Sequence, residues 1–347
     1  MNYRKEEFGK IKNGTVTYLY TFENSSGTQM KVSDFGAVLV SLIVKDRHGD
    51  EKDVVLGYDC AADYESDTAF LGAVVGRNAN RIGGAAFEIN GKVYQLSKND
   101  GENNLHSGLD YYNSRIWNVD EVSDHAITFS LFSPHMDQGY PGNVTIYVTY
   151  TLTEDNEVQI EYRATPDDDT IVNMTNHSYF NMEGHESGTV LNQKVWIHAD
   201  EYTEADIASI PTGKLTAVEG TPMDFRVPKV IGENIGKDYQ ALVFAHGYDH
   251  NYVLKSGGYR KVASIESAES GIRMDVYTDL PGMQFYTANF LNGEKGKKDA
   301  TYSKQCAACF ETQLFPDAIH HNNFDSPICK KDETYYSKTT YKFETDF

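Results

Sequence analysis

The sequence predicts an all-β protein, a large antiparallel β-sandwich, and three observations carry that expectation. Period-two alternation dominates: in Val144-Thr145-Ile146-Tyr147-Val148-Thr149-Tyr150-Thr151-Leu152, the residues Val144, Ile146, Val148, Tyr150 and Leu152 share one face. Helical periodicity is confined to short pieces at 60–64 and 239–242, too little for the strand–helix alternation of a parallel α/β fold. The aromatic residues are mostly Tyr (24) and Phe (17), which suit pleated, half-buried surfaces.

Each element has a local cause. Val158, Ile160, Tyr162 and Ala164 repeat the alternation after the polar turn at 153–157, so the two runs read as an antiparallel pair. Asn90-Gly91 is a hairpin signal, because a two-residue loop needs positive φ at both positions; it pairs Ile89 with Lys92 and Phe87 with Tyr94. Further strand-like runs lie at 16–22, 38–44, 262–267, 272–277 and 284–288. There is no Pro/Gly/Ser linker, fixed-period repeat or low-complexity segment. Residues 1–347 are therefore expected to form a single domain whose long loops carry the chemistry on its face or rim.

Composition narrows the partners. Hydrophobic residues make up 40% of the 347 residues and charged residues 24%, enough apolar material for a sizeable core. The formal charge of −20 repels phosphate backbones and anionic lipid surfaces. Nucleic acid and membrane are thus not expected as partners, and a neutral small molecule fits best. Residues 1–8 have no apolar run after their charges, so they do not read as a secretory signal. No stretch approaches the roughly 18 apolar residues of a membrane span. Four cysteines make no disulfide scaffold, which points to a reduced, cytoplasmic protein.

Five clusters are candidates for chemistry. Asn173-Met174-Thr175-Asn176-His177-Ser178-Tyr179-Phe180-Asn181 surrounds His177 with amides and hydroxyls able to orient an imidazole; in an extended chain His177 faces away from Asn176 and Ser178. Asn103-Asn104-Leu105-His106-Ser107-Gly108 ends a polar loop, where His106 either serves turn geometry or binds a ligand hydroxyl. In His246-Gly247-Tyr248-Asp249-His250-Asn251-Tyr252, Asp249 and Asn251 share a face with His250 opposite, and the spacing matches no regular metal-ligand pattern. Gly76-Arg77-Asn78-Ala79-Asn80-Arg81-Ile82 lacks a phosphate-loop pattern and reads as a solvated loop or as an Arg fork donating to sugar hydroxyls. In Cys306-Ala307-Ala308-Cys309-Phe310-Glu311-Thr312-Gln313 the CxxC spelling admits a redox or zinc site, but strand alternation sends the two thiols to opposite faces as packed side chains. Glu311 stands in an otherwise uncharged strand. Burial there raises a carboxyl pKa toward neutrality, as a general base requires, unless a cation pairs with it for structure alone.

Taken together, the sequence resembles the aldose 1-epimerases (galactose mutarotases). The resemblance rests on seven landmarks in family order. They are Gly76-Arg77-Asn78-Ala79-Asn80-Arg81-Ile82, Asn104-Leu105-His106-Ser107-Gly108, Gly139-Tyr140-Pro141-Gly142-Asn143 and Thr175-Asn176-His177-Ser178-Tyr179-Phe180-Asn181, followed by Asp249-His250-Asn251-Tyr252, Pro281-Gly282-Met283-Gln284-Phe285-Tyr286-Thr287 and Phe310-Glu311-Thr312-Gln313. Two departures stand out. Ser107 replaces a usual second Gly after the His, and Lys331-Asp332-Glu333 replaces a common Pro-Gly-Glu in what reads as a surface turn.

The resemblance implies a galactose mutarotase-like supersandwich with an open sugar cleft. It implies an enzyme, an isomerase that interconverts the α and β anomers of free hexoses such as D-galactose and D-glucose by general acid/base ring opening and closure. Glu311 matches the general base and His177 the general acid. Asn80, Arg81, His106, Asp249 and Gln284 match positions that hold the sugar. No cofactor and no metal are implied, and the partner is a monosaccharide, with the protein a monomer or homodimer. The other readings are a non-catalytic carbohydrate-binding domain and a glycosidase or lyase-like enzyme, for which Asp249 is the only evident second acid.

Overall fold

The computed structural model describes residues 2–346, so Met1 and Phe347, the ends of the expected 1–347 domain, lie outside the described residues. Three large sheets organise them. The N-terminal sheet is a meander of five strands in chain order, Asn2–Lys10, Val16–Glu23, Gln29–Ser33, Leu39–Lys45 and Glu51–Asp53. The widest sheet has nine strands, ordered Asn118–Val122, Ala126–Ser133, Val144–Leu152, Glu157–Pro166, Tyr335–Thr345, Ile272–Thr278, Arg260–Glu266, Lys194–Ile197 and Lys229–Val230. The third has six, ordered Tyr179–Phe180, Ala308–Gln313, Gly282–Tyr286, Asp249–Leu254, Ala199–Ala205 and Pro211–Ala217. Neighbouring strands in each sheet run antiparallel.

Local chemistry explains the pairing. The strand Val144–Leu152 buries every second residue and pairs with Glu157–Pro166 in the register that sets Val148 against Tyr162. Burying side chains such as Ile146, Val148 and Ile160 contributes roughly 1.5–3 kcal/mol each. The Asn90-Gly91 hairpin forms as expected: both residues have positive φ (53° and 76°), and Phe87 opposes Tyr94. The two short helical pieces are helices Ala61–Tyr64 and Gln240–Ala245.

The six- and nine-stranded sheets pack face to face. Phe180 lies against Tyr341 with ring centroids 4.8 Å apart, and the Tyr341 hydroxyl donates to the Phe310 carbonyl at 3.1 Å. Alternation in the six-stranded sheet then does the positioning. Phe310 and Thr312, Met283 and Phe285, and Tyr252 and Leu254 point inward, which turns Cys309, Glu311, Gln284, Tyr286 and Asp249 to the opposite face.

One strand expectation is corrected here. Cys306 precedes the strand Ala308–Gln313 in a turn closed by its N–H to the Ser303 carbonyl, so alternation does not separate it from Cys309. Both thiols are free and buried in one apolar cluster.

Candidate active site

Glu311, Gln284 and Asn251 lie side by side on three adjacent strands, with Gln284 opposite both neighbours in register. Glu311 and Gln284 open into a cavity of about 270 Å³, and Asp249, two residues before Asn251, reaches the same space. Opposite them stand Asn80 and Arg81, from the segment that leads into strand Arg81–Ile82, and Leu105 and His106 at the end of the polar loop. His177 ends the short strand Thr175–His177 and completes the wall. Asn176 and Ser178 bond each other away from the cavity, as the extended-chain reading expects.

All seven residues singled out from the sequence line this one cavity. His177 Nε2 lies 3.6 Å from Glu311 Oε1. Gln284 Nε2 donates to Asp249 Oδ1 at 2.6 Å, leaving the buried Gln284 Oε1 without a protein donor. Arg81 Nε donates to Asp100 Oδ2 at 2.7 Å. His106 is held from both sides: its N–H donates to the Asn80 carbonyl at 3.0 Å, and the Asn80 N–H donates to its Nδ1 at 3.1 Å.

The solvated-loop reading of 76–82 is overturned. Arg77 is fully buried, and its guanidinium donates to the Pro141 and Gly142 carbonyls, Thr170 and Ser133. A buried cation needs such partners, so this Arg fork holds the protein's own loops and leaves Arg81 to the cavity. Sequence reasoning passed over Phe70, Tyr179, Tyr286 and Cys309. The first three are aromatic walls around His177. Tyr286 and Cys309 were findable by alternation from Gln284 and Glu311; Phe70, at a positive φ of 61°, gives no such signal.

Burial sets the electrostatics. It pushes Glu311 well above the usual carboxyl range, reinforced by Asp249 and opposed by Arg81. It raises Asp249 too, against Arg81. It pushes His177 down to about 4, and lowers His106 well below 6.5 with help from His177 and Arg81. The Glu311–His177 pair therefore favours the uncharged arrangement, with one proton on the carboxyl.

The nitrogen and oxygen atoms of His106, His177 and Glu311 lie within 4.8 Å of one another, a spacing open to a cation. The Asn80 N–H, however, occupies the lone pair of His106 Nδ1, so the neutral ring carries its proton on Nε2. His106 is thus a hydrogen-bond donor rather than a metal ligand, and the trio suits a hydroxylated organic ligand better than a cation.

The aldose 1-epimerase family model matches residues 18–342. The chain belongs to the aldose 1-epimerase family. It is 39% identical to the galactose mutarotase of Mus musculus over 97% of each chain, and 38% identical to the aldose 1-epimerase of Escherichia coli K12 over 94% of each. Its fold matches the GalM/aldose epimerase homologue from C. elegans, with a TM-score of 0.89 and 31% identity over 95% of this chain and 99% of that one. It also matches the galactose 1-epimerase of Lactobacillus acidophilus, at 0.88 and 25% over the whole of both. The fold is thus the mutarotase-like β-sandwich that the sequence suggested.

Both family departures have a structural account. Ser107 keeps a positive φ of 74°, and its Oγ accepts from the Asn78 N–H at 2.7 Å and donates to the Asn78 carbonyl at 3.1 Å. The hydroxyl ties the His106 loop to the backbone at Asn78, offsetting the strain that a Gly would avoid. Asp332 takes a positive φ of 62° in an exposed turn, where the family pattern has Gly.

Proposed function

We propose that Glu311 and His177 interconvert the anomers of a free aldohexose such as D-galactose or D-glucose. Glu311 takes the C1 hydroxyl proton while His177 protonates the ring oxygen, and the C1–O5 bond opens. The aldehyde turns about C1–C2, and closure on the other face reverses both transfers. Each positioned proton transfer is typically worth roughly 10²–10⁴-fold in rate.

The 3.6 Å approach of His177 Nε2 to Glu311 Oε1 within one sugar-sized cavity carries this reading. The proton inventory fits as well. Ring opening converts the ionised pair into the uncharged pair, the arrangement that burial favours, so the open aldehyde is formed as the site relaxes. Sugar hydroxyls, together with donors from Arg81 and His106, sustain the ionised pair before the step. The orphaned Gln284 Oε1 suits a hydroxyl donor, and Asn80 and Asp249 complete the sugar's surroundings.

A neutral sugar suits the charges. Among the described residues Arg81 is the only Lys or Arg lining the cavity and is already paired to Asp100, whereas Asp249, Glu294 and Glu311 all face it, so a sugar phosphate would meet repulsion. No described helix is long and apolar enough to cross a membrane. The four free thiols suit a reducing compartment, so the reading extends to a cytoplasmic monomer or homodimer acting as one domain over 1–347. Polarimetry on freshly dissolved α-galactose and α-glucose tests the activity. Accelerated mutarotation is expected. Sugar binding without acceleration would make the protein a carbohydrate-binding module, and release of sugar from an oligosaccharide would make it a glycosidase.

A further inference from the structure

His177 is gripped on every side. Its ring stacks on Tyr179, with centroids 5.0 Å apart and 26° between planes, and on Phe70 at 6.0 Å and 27°. Nε2 faces Glu311, and Nδ1 lies 3.7 Å from Cys309 Sγ, within hydrogen-bonding reach for sulfur. Cys309 stands two residues before Glu311 on the same strand face, so one strand presents a partner to each nitrogen of the imidazole. Tyr286 and His106 face the ring edge-on from the neighbouring strand and the opposite loop.

We propose that Cys309 is a positioning residue for His177, its thiol holding Nδ1 so that Nε2 is the atom that exchanges the proton with substrate. The inference rests on the acid role of His177 given above. When the imidazolium gives its Nε2 proton to substrate it keeps its Nδ1–H, so the group behind the ring must accept that N–H in both states. Cys309 Sγ, 3.7 Å from Nδ1, takes it as a weak acceptor and leaves Nε2 free to give and retake the proton. Burial and the neighbouring Glu311 push the Cys309 thiol well above its ordinary range, so it stays neutral in this role and adds no charge beside Glu311. Full burial also separates this role from reactive-cysteine chemistry, which needs an exposed thiolate.

The test reads the ring directly and then the rate. In the uniformly ¹⁵N-labelled full chain, free of sugar and near neutral pH, the His177 nitrogens should report the Nδ1–H tautomer. Cys309→Val, which fills the space without a donor or acceptor, should shift the population toward Nε2–H, and Cys309→Ser should restore it. Polarimetry should show kcat falling about tenfold in Cys309→Val with KM little changed, the low end for losing an orienting partner, and recovering in Cys309→Ser. A wild-type ring in the Nε2–H form, or a Val variant with unaltered tautomer and kcat, overturns the assignment. The wild-type spectrum decides even if the Val variant does not fold. Because the spectrum is independent of turnover, an inactive protein with the expected tautomer would count against the proposed reaction and not against this contact.

Discussion

Asn80 and His106 form a reciprocal pair: the Asn80 backbone N–H donates to His106 Nδ1 at 3.1 Å, while the Asn80 carbonyl accepts the His106 backbone N–H at 3.0 Å. This closure fixes the tautomer of His106 and makes its Nε2 a permanent donor toward the cavity. A residue committed to donating cannot also ligate a metal.

Catalysis is therefore expected to survive exhaustive chelation. Polarimetric rates measured before and after dialysis against a strong chelator should agree. A lasting loss restored by one divalent ion would show that a cation acts in the cleft.

The rate should be bell-shaped in pH, because turnover needs one proton on the Glu311–His177 pair. On the acid side a second proton reaches His177, whose ring is pushed down to about 4 by burial. On the alkaline side the pair loses its proton through Glu311, raised well above the carboxyl range by burial. A plot of kcat/KM against pH that rises through 6.5, the ordinary imidazole value, with no activity below it contradicts this ordering.

Stability should also follow Glu311. Its folded pKa lies above its unfolded value of about 4.3, so its contribution is present below that pH and is lost as pH climbs toward the folded value. Across that window the loss runs at about 1.4 kcal/mol per pH unit. Glu311→Gln carries no such titration. Its melting temperature should match that of the parent near pH 4 and exceed it by a growing margin toward pH 8; equal melting temperatures throughout would mean the carboxyl is not raised.

Ser107 offers a separate check on the loop that carries His106. Ser107→Ala leaves the buried Asn78 N–H without its acceptor, at a cost of about 1–3 kcal/mol, and keeps the positive φ. Ser107→Gly loses the same bond but relieves the backbone, so urea unfolding should place it above the Ala variant by about 1 kcal/mol or more. The reverse order would remove backbone strain from the explanation.

How far the fold and site were legible depends on where the signal is local. The Val144–Leu152 alternation and the Asn90-Gly91 turn are local: the first formed the expected antiparallel pair, and the second formed in the expected register. The strand Tyr335–Thr345 escaped notice because its inward face carries Ser337 and Thr339 before Tyr341 and Phe343; the Thr339 hydroxyl bonds Thr312 across the sheets. Asn2–Lys10 escaped because residues 3–7, on the edge of the five-stranded sheet, are all exposed. In the site, Asp249 facing opposite to His250 was readable from alternation. The meeting of His177 with Glu311 was not, since it depends on sheet order; only the family resemblance pointed to it. Arg77 was misread because its partners Ser133, Pro141 and Thr170 are distant in sequence.

The most direct test of the acid/base pair is polarimetric turnover of α-galactose by Glu311→Gln and His177→Asn, each checked by circular dichroism for an intact fold. Both substitutions should nearly abolish mutarotation, a fall of roughly 10²–10⁴-fold apiece. A folded variant of either residue that works at close to the parent rate would take that side chain out of the chemistry.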